Sequence, residues 1–268
     1  MSLHGPDETE ALGRILIDHL SRNHQLPVDA SAEWAMKPRE HALHLLQAII
    51  TGRPIQYILN EAWFDNRNFW VDESVLIPRP ETEELFDWIK RRYASSKNPA
   101  FILDIGTGSG ILPISLKRQF PESTVQALDI SAPALKVARR NADQFETQID
   151  LIEMNFTDPA QRSKLPIYDL IVSNPPYIAW EEKFTMPAWV TEHEPHVALF
   201  ASNEDPLLFY QCIAGFGRSH LNPGGQIFVE FHEDRSEATK EVFDQSGYKS
   251  ELRKDMQGKW RMLRAETN

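Results

Sequence analysis

Apolar positions in the first fifty residues recur at helical spacing. Leu12, Ile15, Leu16 and Leu20 share one face of a predicted helix over 7–20. A second helix is predicted from Pro38, with Ala42, Leu45, Leu46 and Ile49 on one face and Gly52 as its stop. A short helix is expected between them, near 31–36. From Ile55 to Ile77 aromatic and β-branched residues flank an Asp65-Asn66 turn, which reads as a hairpin. After Pro80, helical segments alternate with short apolar runs at 100–105, 124–129, 149–153, 168–173 and 226–231. Such runs suit the buried strands of a mostly parallel sheet. Two final strands, near 248–254 and 259–264, are spaced for an antiparallel hairpin. The chain is therefore expected to divide into a helical domain (1–53), a β-hairpin linker (54–78) and an α/β domain (79–268). No internal repeat or low-complexity segment interrupts it.

Open α/β sheets bind ligands beyond the carboxyl ends of their strands, so the residues that follow each apolar run matter most. Asn174-Pro175-Pro176-Tyr177 follows the run 168–173. Its prolines remove two N–H donors and restrict the backbone, so nearby carbonyls take set directions. Asn174 adds a side-chain acceptor, and the Tyr177 ring can form a wall. This makes an acceptor cup for a planar N–H group, an amide or a base amine. The plain alternative is a turn after a strand.

Asp104-Ile-Gly106-Thr107-Gly108-Ser109-Gly110 is a strand running into a glycine loop, and Pro113 falls in the first turn of the helix that follows. Glycines permit a tight turn and close approach of a ligand to the backbone. The next strand, 124–129, ends in Asp129, suited to a ribose diol. The Gly-Lys-Ser/Thr ending of a phosphate loop is missing. A nucleoside ligand fits, and a phosphate is not required.

These residues resemble an S-adenosylmethionine-dependent methyltransferase of Rossmann-like topology. The resemblance narrows with Leu76-Ile-Pro-Arg79-Pro-Glu-Thr82-Glu-Glu-Leu85, Gly52-Arg-Pro-Ile-Gln-Tyr57 and Glu194-Pro-His-Val-Ala-Leu199. That set is similar to the HemK/PrmC family, the protein-(glutamine-N5) methyltransferases of peptide chain release factors, from about Gly52 to the C-terminus. The tetrapeptide alone is shared with DNA adenine methyltransferases. The resemblance implies a seven-stranded methyltransferase domain behind a small helical substrate-recognition domain. It implies S-adenosylmethionine as donor and S-adenosylhomocysteine as product, with Gly106 to Gly110 around the methionine part and Asp129 on the ribose. Asn174, Pro175, Pro176 and Tyr177 would hold the substrate amide, with Asn174, Pro175 and Tyr177 as the catalytic set and Asn174 also near the cofactor. Asn155-Phe156 stands where the family usually has an acid and an aromatic near the adenine. Asn155 keeps an acceptor oxygen but loses the charge, and it could equally be an ordinary loop residue. Phe156 would stack on the base or fill core. Arg79 and Thr82 would shape the entry to the site, although Arg79 could equally be a solvated helix-start residue, and Glu194 could brace the Asn174 loop, contact substrate or be a surface acid. Gly224-Gly225-Gln226 matches the sequence this family methylates in release factors. Here it follows Pro223 and precedes a strand, so it reads as a turn and not as a self-substrate.

Composition narrows the partners. The net charge of −11 disfavours clamping a bare phosphate backbone. The single cysteine, Cys212, precludes an intramolecular disulfide and suits a buried structural thiol. The nine histidines lack metal-ligand spacing, His41 and His44 included, and the donor chemistry needs no metal. No run approaches membrane-spanning length, and no signal-peptide pattern opens the chain. A cytoplasmic monomer is expected, with release factors as partners and no direct nucleic-acid contact. A DNA or RNA amino methyltransferase is the alternative, but no basic groove or recognition domain is evident. A nicotinamide dehydrogenase would explain the glycine loop and Asp129 and leave Asn174 to Tyr177 without a role. A protein that only binds would not need pre-set acceptor carbonyls.

Overall fold

The computed structural model describes residues 6–22, 36–202 and 205–267. It divides into two compact units, Met1–Glu61 and Ala62–Asn268. The first contains α1 (Pro6–Arg22), α2 (Met36–Ile50) and α3 (Ile55–Leu59). Leu16 and Leu20 pack with Ala42, Leu45, Ile49, Ile55 and Leu59. Ile15 and Leu46, expected on the packed faces, are 41% and 44% exposed. The helix expected near 31–36 falls, but for its last residue, outside the described residues. Ile55–Leu59, expected as part of a hairpin, is instead a helical turn. Pro54 caps its start, and its end is set by Asn60 in the left-handed region, φ 54°.

The second unit opens with the hairpin β1 (Ala62–Phe64) and β2 (Arg67–Phe69), turned by Asp65 and Asn66, both at positive φ. Then follow α4 (Pro80–Tyr93), β3 (Phe101–Ile105), α5 (Ile111–Gln119), β4 (Thr124–Asp129), α6 (Ala132–Gln144), β5 (Asp150–Glu153), α7 (Pro159–Arg162) and β6 (Tyr168–Ser173). Beyond them lie α8 (Ala188–His193), α9 (His196–Leu199), α10 (Leu208–His220), β7 (Leu221–Glu230), α11 (Ser236–Gln245), β8 (Tyr248–Lys254) and β9 (Trp260–Thr267).

The strands form one seven-stranded sheet, ordered β5-β4-β3-β6-β7-β9-β8. The first five run parallel, and β9 is antiparallel to β7 and β8. Alternate residues feed two cores. Ile102, Leu170, Val172, Phe228 and Met262 join one with α4 and α5, while Leu103, Ile171, Ile227, Val229 and Leu263 join the other with α10 and α11. Burial on both faces is why these strands read as unbroken apolar runs. Strand β7 starts earlier than the predicted 226 because the chain bulges between Leu221 and Gln226, with Gly224 at φ 75°. Gln226 is 4% exposed within the strand, which agrees with reading Gly-Gly-Gln as local turn chemistry.

The order also fixes where a ligand can sit. From β3 the chain moves outward through β4 and β5, then returns to place β6 on the other side of β3. The connections leave in opposite directions at β3 and β6, so a crevice opens beyond their carboxyl ends.

Candidate active site

Ile105 of β3 pairs with Ser173 of β6. The next residues, Gly106 and Asn174, therefore leave neighbouring strands at the same level. Both line a cavity of about 390 Å³, within the size range of small-molecule sites. Thr107, Gly108, Ser109, Asp129, Asn155, Phe156 and Pro176 share its wall, as do Arg79 and Thr82.

The glycine loop is held from several sides. Gly106 and Thr107 N–H groups both donate to the Leu128 carbonyl, at 2.9 and 3.0 Å. Gly108 N–H donates to Asp129 Oδ2 at 2.9 Å, and Ser131 N–H to Asp129 Oδ1 at 2.9 Å. Asp129 thus fastens the loop to the end of β4 and still lines the cavity. Burial raises its carboxyl above the usual range, opposed by those N–H bonds. Gly106, Gly108 and Gly110 all have positive φ. A Cβ on Gly106 or Gly108 would enter open space, whereas one on Gly110 would lie 3.1 Å from Ala138 Cβ. The first two keep the cavity clear, and the third lets α5 approach α6. Asn141, fully buried on α6, donates to Ser109 O at 2.8 Å and to Trp70 O at 2.9 Å.

Beneath the loop, Asp104 is fully buried, and among the described residues neither its oxygens nor the Thr107 hydroxyl beside it makes a well-aligned hydrogen bond. Burial pushes the Asp104 carboxyl up to about 7, with the Thr107 hydroxyl lowering it and the Asp129 charge raising it. Buried polar groups without well-aligned partners are uncommon, and here they sit at the ligand crevice.

Both adenine candidates lie at the cavity, with different surroundings. Asn155 lines the cavity, but its Oδ1 accepts from Thr157 N–H at 3.1 Å and Thr157 Oγ1 at 2.7 Å. This local turn engages the oxygen expected to receive the adenine amine. Phe156 is 3% exposed and packs edge-on against Phe216 at 5.3 Å, so it belongs to the core as well as the wall.

At the tetrapeptide, Asn174 Nδ2 donates to Thr82 Oγ1 at 3.0 Å, and no described residue bonds its Oδ1. Pro176 reaches the cavity wall, whereas Pro175 and Tyr177, both expected there, do not. Tyr177 turns its hydroxyl to Glu230 at 3.0 Å, and Arg235 Nη1 donates to its carbonyl at 2.7 Å. Next door, Ile178 is bonded through both N–H and C=O to the 199–201 segment, which also lines the cavity. Glu194 is no surface acid. Its Oε1 accepts from Arg79 Nη2 at 2.6 Å and its Oε2 from Ile77 N–H at 3.2 Å. It clamps the segment before α4 to the one after α8. Burial raises its carboxyl, and Arg79 opposes that.

Glu230 escaped the sequence reading. The signal was present, since it lies within a residue of the end of a predicted strand, but its importance depends on β7 lying beside β6.

A seven-stranded sheet of this order, with a glycine loop after β3 and Asn-Pro-Pro-Tyr after β6, defines the Rossmann-like S-adenosylmethionine-dependent methyltransferase fold. The Methyltransferase small domain family matches residues 91–191. A methyltransferase structure from Pyrococcus furiosus aligns with TM-score 0.54 at 17% identity, over 87% of this chain and all of that one, which bears on the fold alone. The release factor glutamine methyltransferase of Bacteroides thetaiotaomicron is 37% identical over 98% of this chain and 94% of its own length. That of Flavobacterium psychrophilum is 42% identical over 79% of this chain and 75% of its own. The chain belongs to the release factor glutamine methyltransferase family.

Proposed function

We propose that this chain transfers a methyl group from S-adenosylmethionine to the side-chain nitrogen of the glutamine in the Gly-Gly-Gln motif of peptide chain release factors. The observation that carries the proposal is one cavity holding both a glycine loop and an Asn174 carbonyl oxygen that no described side chain uses. The poorly satisfied Thr107 hydroxyl and Asp104 carboxylate suit a ligand that brings donors and positive charge. Gly106 to Gly110 would hold the methionine part and Asp129 the ribose hydroxyls. Asn155 would offer its amide N–H to an adenine ring nitrogen, and Phe156 would bound the base.

When bound, S-adenosylmethionine supplies a methyl group on a positively charged sulfur and leaves as the neutral thioether S-adenosylhomocysteine. An amide nitrogen is a weak nucleophile because its lone pair is delocalised. Asn174 Oδ1 and the Pro175 carbonyl accept its two hydrogens and orient the nitrogen. Acceptors there also favour the positive charge that builds on nitrogen in the transition state. Pro176 bounds the amide plane, and Tyr177 supports Asn174 from behind. One proton leaves the nitrogen to solvent. The first unit, residues 1–61, would recognise the release factor, because every residue lining the cavity lies beyond it.

Mass spectrometry of release factor incubated with the protein and S-adenosylmethionine tests the proposal. One added methyl on the glutamine peptide is expected, and none when that glutamine is replaced by glutamate. Methyl groups on DNA or RNA bases, with the release factor unmodified, would establish the alternative.

A further inference from the structure

Three segments meet behind Asn174. Thr82 lies in the first turn of α4, Asn174 and Tyr177 follow β6, and Glu230 ends β7. Asn174 Nδ2 donates to Thr82 Oγ1 at 3.0 Å, and Thr82 Oγ1 donates to Glu230 Oε2 at 2.7 Å. The Tyr177 hydroxyl donates to Glu230 Oε1 at 3.0 Å. Glu230 is fully buried and Thr82 nearly so.

The donors and acceptors in this chain have a compelled sense. An ionised carboxylate only accepts, and a threonine hydroxyl has one proton to give. Thr82 gives it to Glu230, so toward Asn174 it can only accept. Asn174 must then turn its NH2 to Thr82, which leaves Oδ1 for the cavity. The two ends of an asparagine amide are nearly the same size, so packing does not choose between them. Tyr177 cannot compete for this role. Burial lifts its hydroxyl far above the usual range, so it keeps its proton and donates it to the other Glu230 oxygen.

We propose that Glu230 is a positioning residue for methyl transfer: through Thr82 it fixes which end of the Asn174 amide faces the acceptor nitrogen, and with its second oxygen it anchors Tyr177. The inference rests on the amide-methylation reading above. Burial sets the Glu230 carboxyl at about 7. The Thr82 and Tyr177 bonds and the Arg261 charge lower it, and the Glu81 charge raises it. Tyr210, whose hydroxyl donates to the Glu230 carbonyl at 3.1 Å, completes the surroundings. Once Glu230 gains a proton it can donate to Thr82, and the sense of the chain is no longer enforced.

The test uses the full chain with S-adenosylmethionine and release factor. Thr82→Val and Glu230→Gln should each lower kcat about tenfold or more, the scale of losing one aligned transition-state hydrogen bond. Cofactor affinity by calorimetry should stay within about twofold, and Thr82→Ser should recover most of the rate, since its hydroxyl restores the link. The double variant should be little slower than the worse single one, because both act through one chain. Wild-type kcat should fall as pH drops through about 7, and Glu230→Gln should weaken that dependence, leaving the part that Asp104 contributes in the same range. A second readout needs no substrate. With 15N-asparagine labelling, the Asn174 NH2 pair, assigned by its loss in Asn174→Ala, should exchange slowly in the wild type and faster in both variants. Near-wild-type kcat in Thr82→Val, a Thr82→Ser variant as slow as Thr82→Val, penalties that multiply in the double variant, or equal exchange in wild type and variants would each overturn the proposal. If the wild type leaves release factor unmethylated, the amide-methylation reading fails, and the exchange comparison alone decides whether Glu230 orients Asn174.

Discussion

Asn174 and Asp129 answer to different tests because they hold different partners. Asn174 presents its oxygen to the cavity while Thr82 keeps its nitrogen. Asn174→Ala is therefore expected to cut turnover about a hundredfold or more, by analogy with removing one transition-state hydrogen-bond partner. Cofactor affinity should fall only in part. A steady-state assay paired with calorimetry separates the two, and equal losses in both would make Asn174 a binding residue only. Asp129→Ala should weaken cofactor binding by roughly 1–3 kcal/mol, the range for hydrogen bonds to a charged acceptor. It should also lower the melting temperature, because Gly108 and Ser131 lose their acceptor. Unchanged calorimetric affinity would remove Asp129 from the site. Their place at the crevice was legible in the sequence because Asp129 ends one recognisable strand and Asn174 follows another. Glu230 was not, because its bond to Thr82 spans 148 positions and joins elements whose adjacency only the sheet order reveals.

The glycine loop shows how one element divides its duties among similar residues. Gly110 has φ 80° and would bring a Cβ within 3.1 Å of Ala138. Gly110→Ala should thus destabilise the fold by about 1–3 kcal/mol, from left-handed backbone strain together with overpacking. Gly106 has φ 75° and shares the backbone strain but faces open space, so Gly106→Ala should lower the melting temperature less than Gly110→Ala does and damage ligand binding more. Thermal melts with and without ligand compare the two, and identical profiles would contradict this division. The sheet strands were legible within a residue or two, apart from the start of β7 and the end of β9, because burial on both faces gives continuous apolar runs. Helix α3 was misread. Its Ile and Tyr content favours strands, but Pro54 and Asn60 delimit a single helical turn, and local capping prevails over propensity in so short a segment. The Asn155 turn was equally hidden, since Thr157 two residues on takes the oxygen that an isolated reading leaves free.

For the molecule as a whole, the two-unit division and the buried acids each have a measurable consequence. A chain beginning at Ala62 retains every residue lining the cavity. It should keep cofactor affinity and lose most activity on intact release factor. Full activity on intact factor would give the first unit another purpose. Asp104 and Glu230 both titrate at about 7 when folded, because burial disfavours their charged forms, against roughly 4 in an unfolded chain. Between those values the folded chain holds more protons, so this contribution to stability is complete below about pH 4 and lost as pH rises through about 7. Ligand-free protein should melt higher at about pH 6 than at about pH 8, with a smaller difference in Asp104→Asn, by the same linkage. An unchanged difference would show that Asp104 does not titrate in this window. The buried Asp104 carboxylate and Thr107 hydroxyl, poorly satisfied by the protein itself, carry the same logic to ligand binding. A ligand that satisfies them binds only the folded chain and raises its stability by mass action. Small differences in stability alter how fast a protein is cleared by proteases. On the proposed reading, protein saturated with methyl donor should therefore resist a protease longer than the same protein without it, and equal digestion rates would show that the donor does not stabilise the fold.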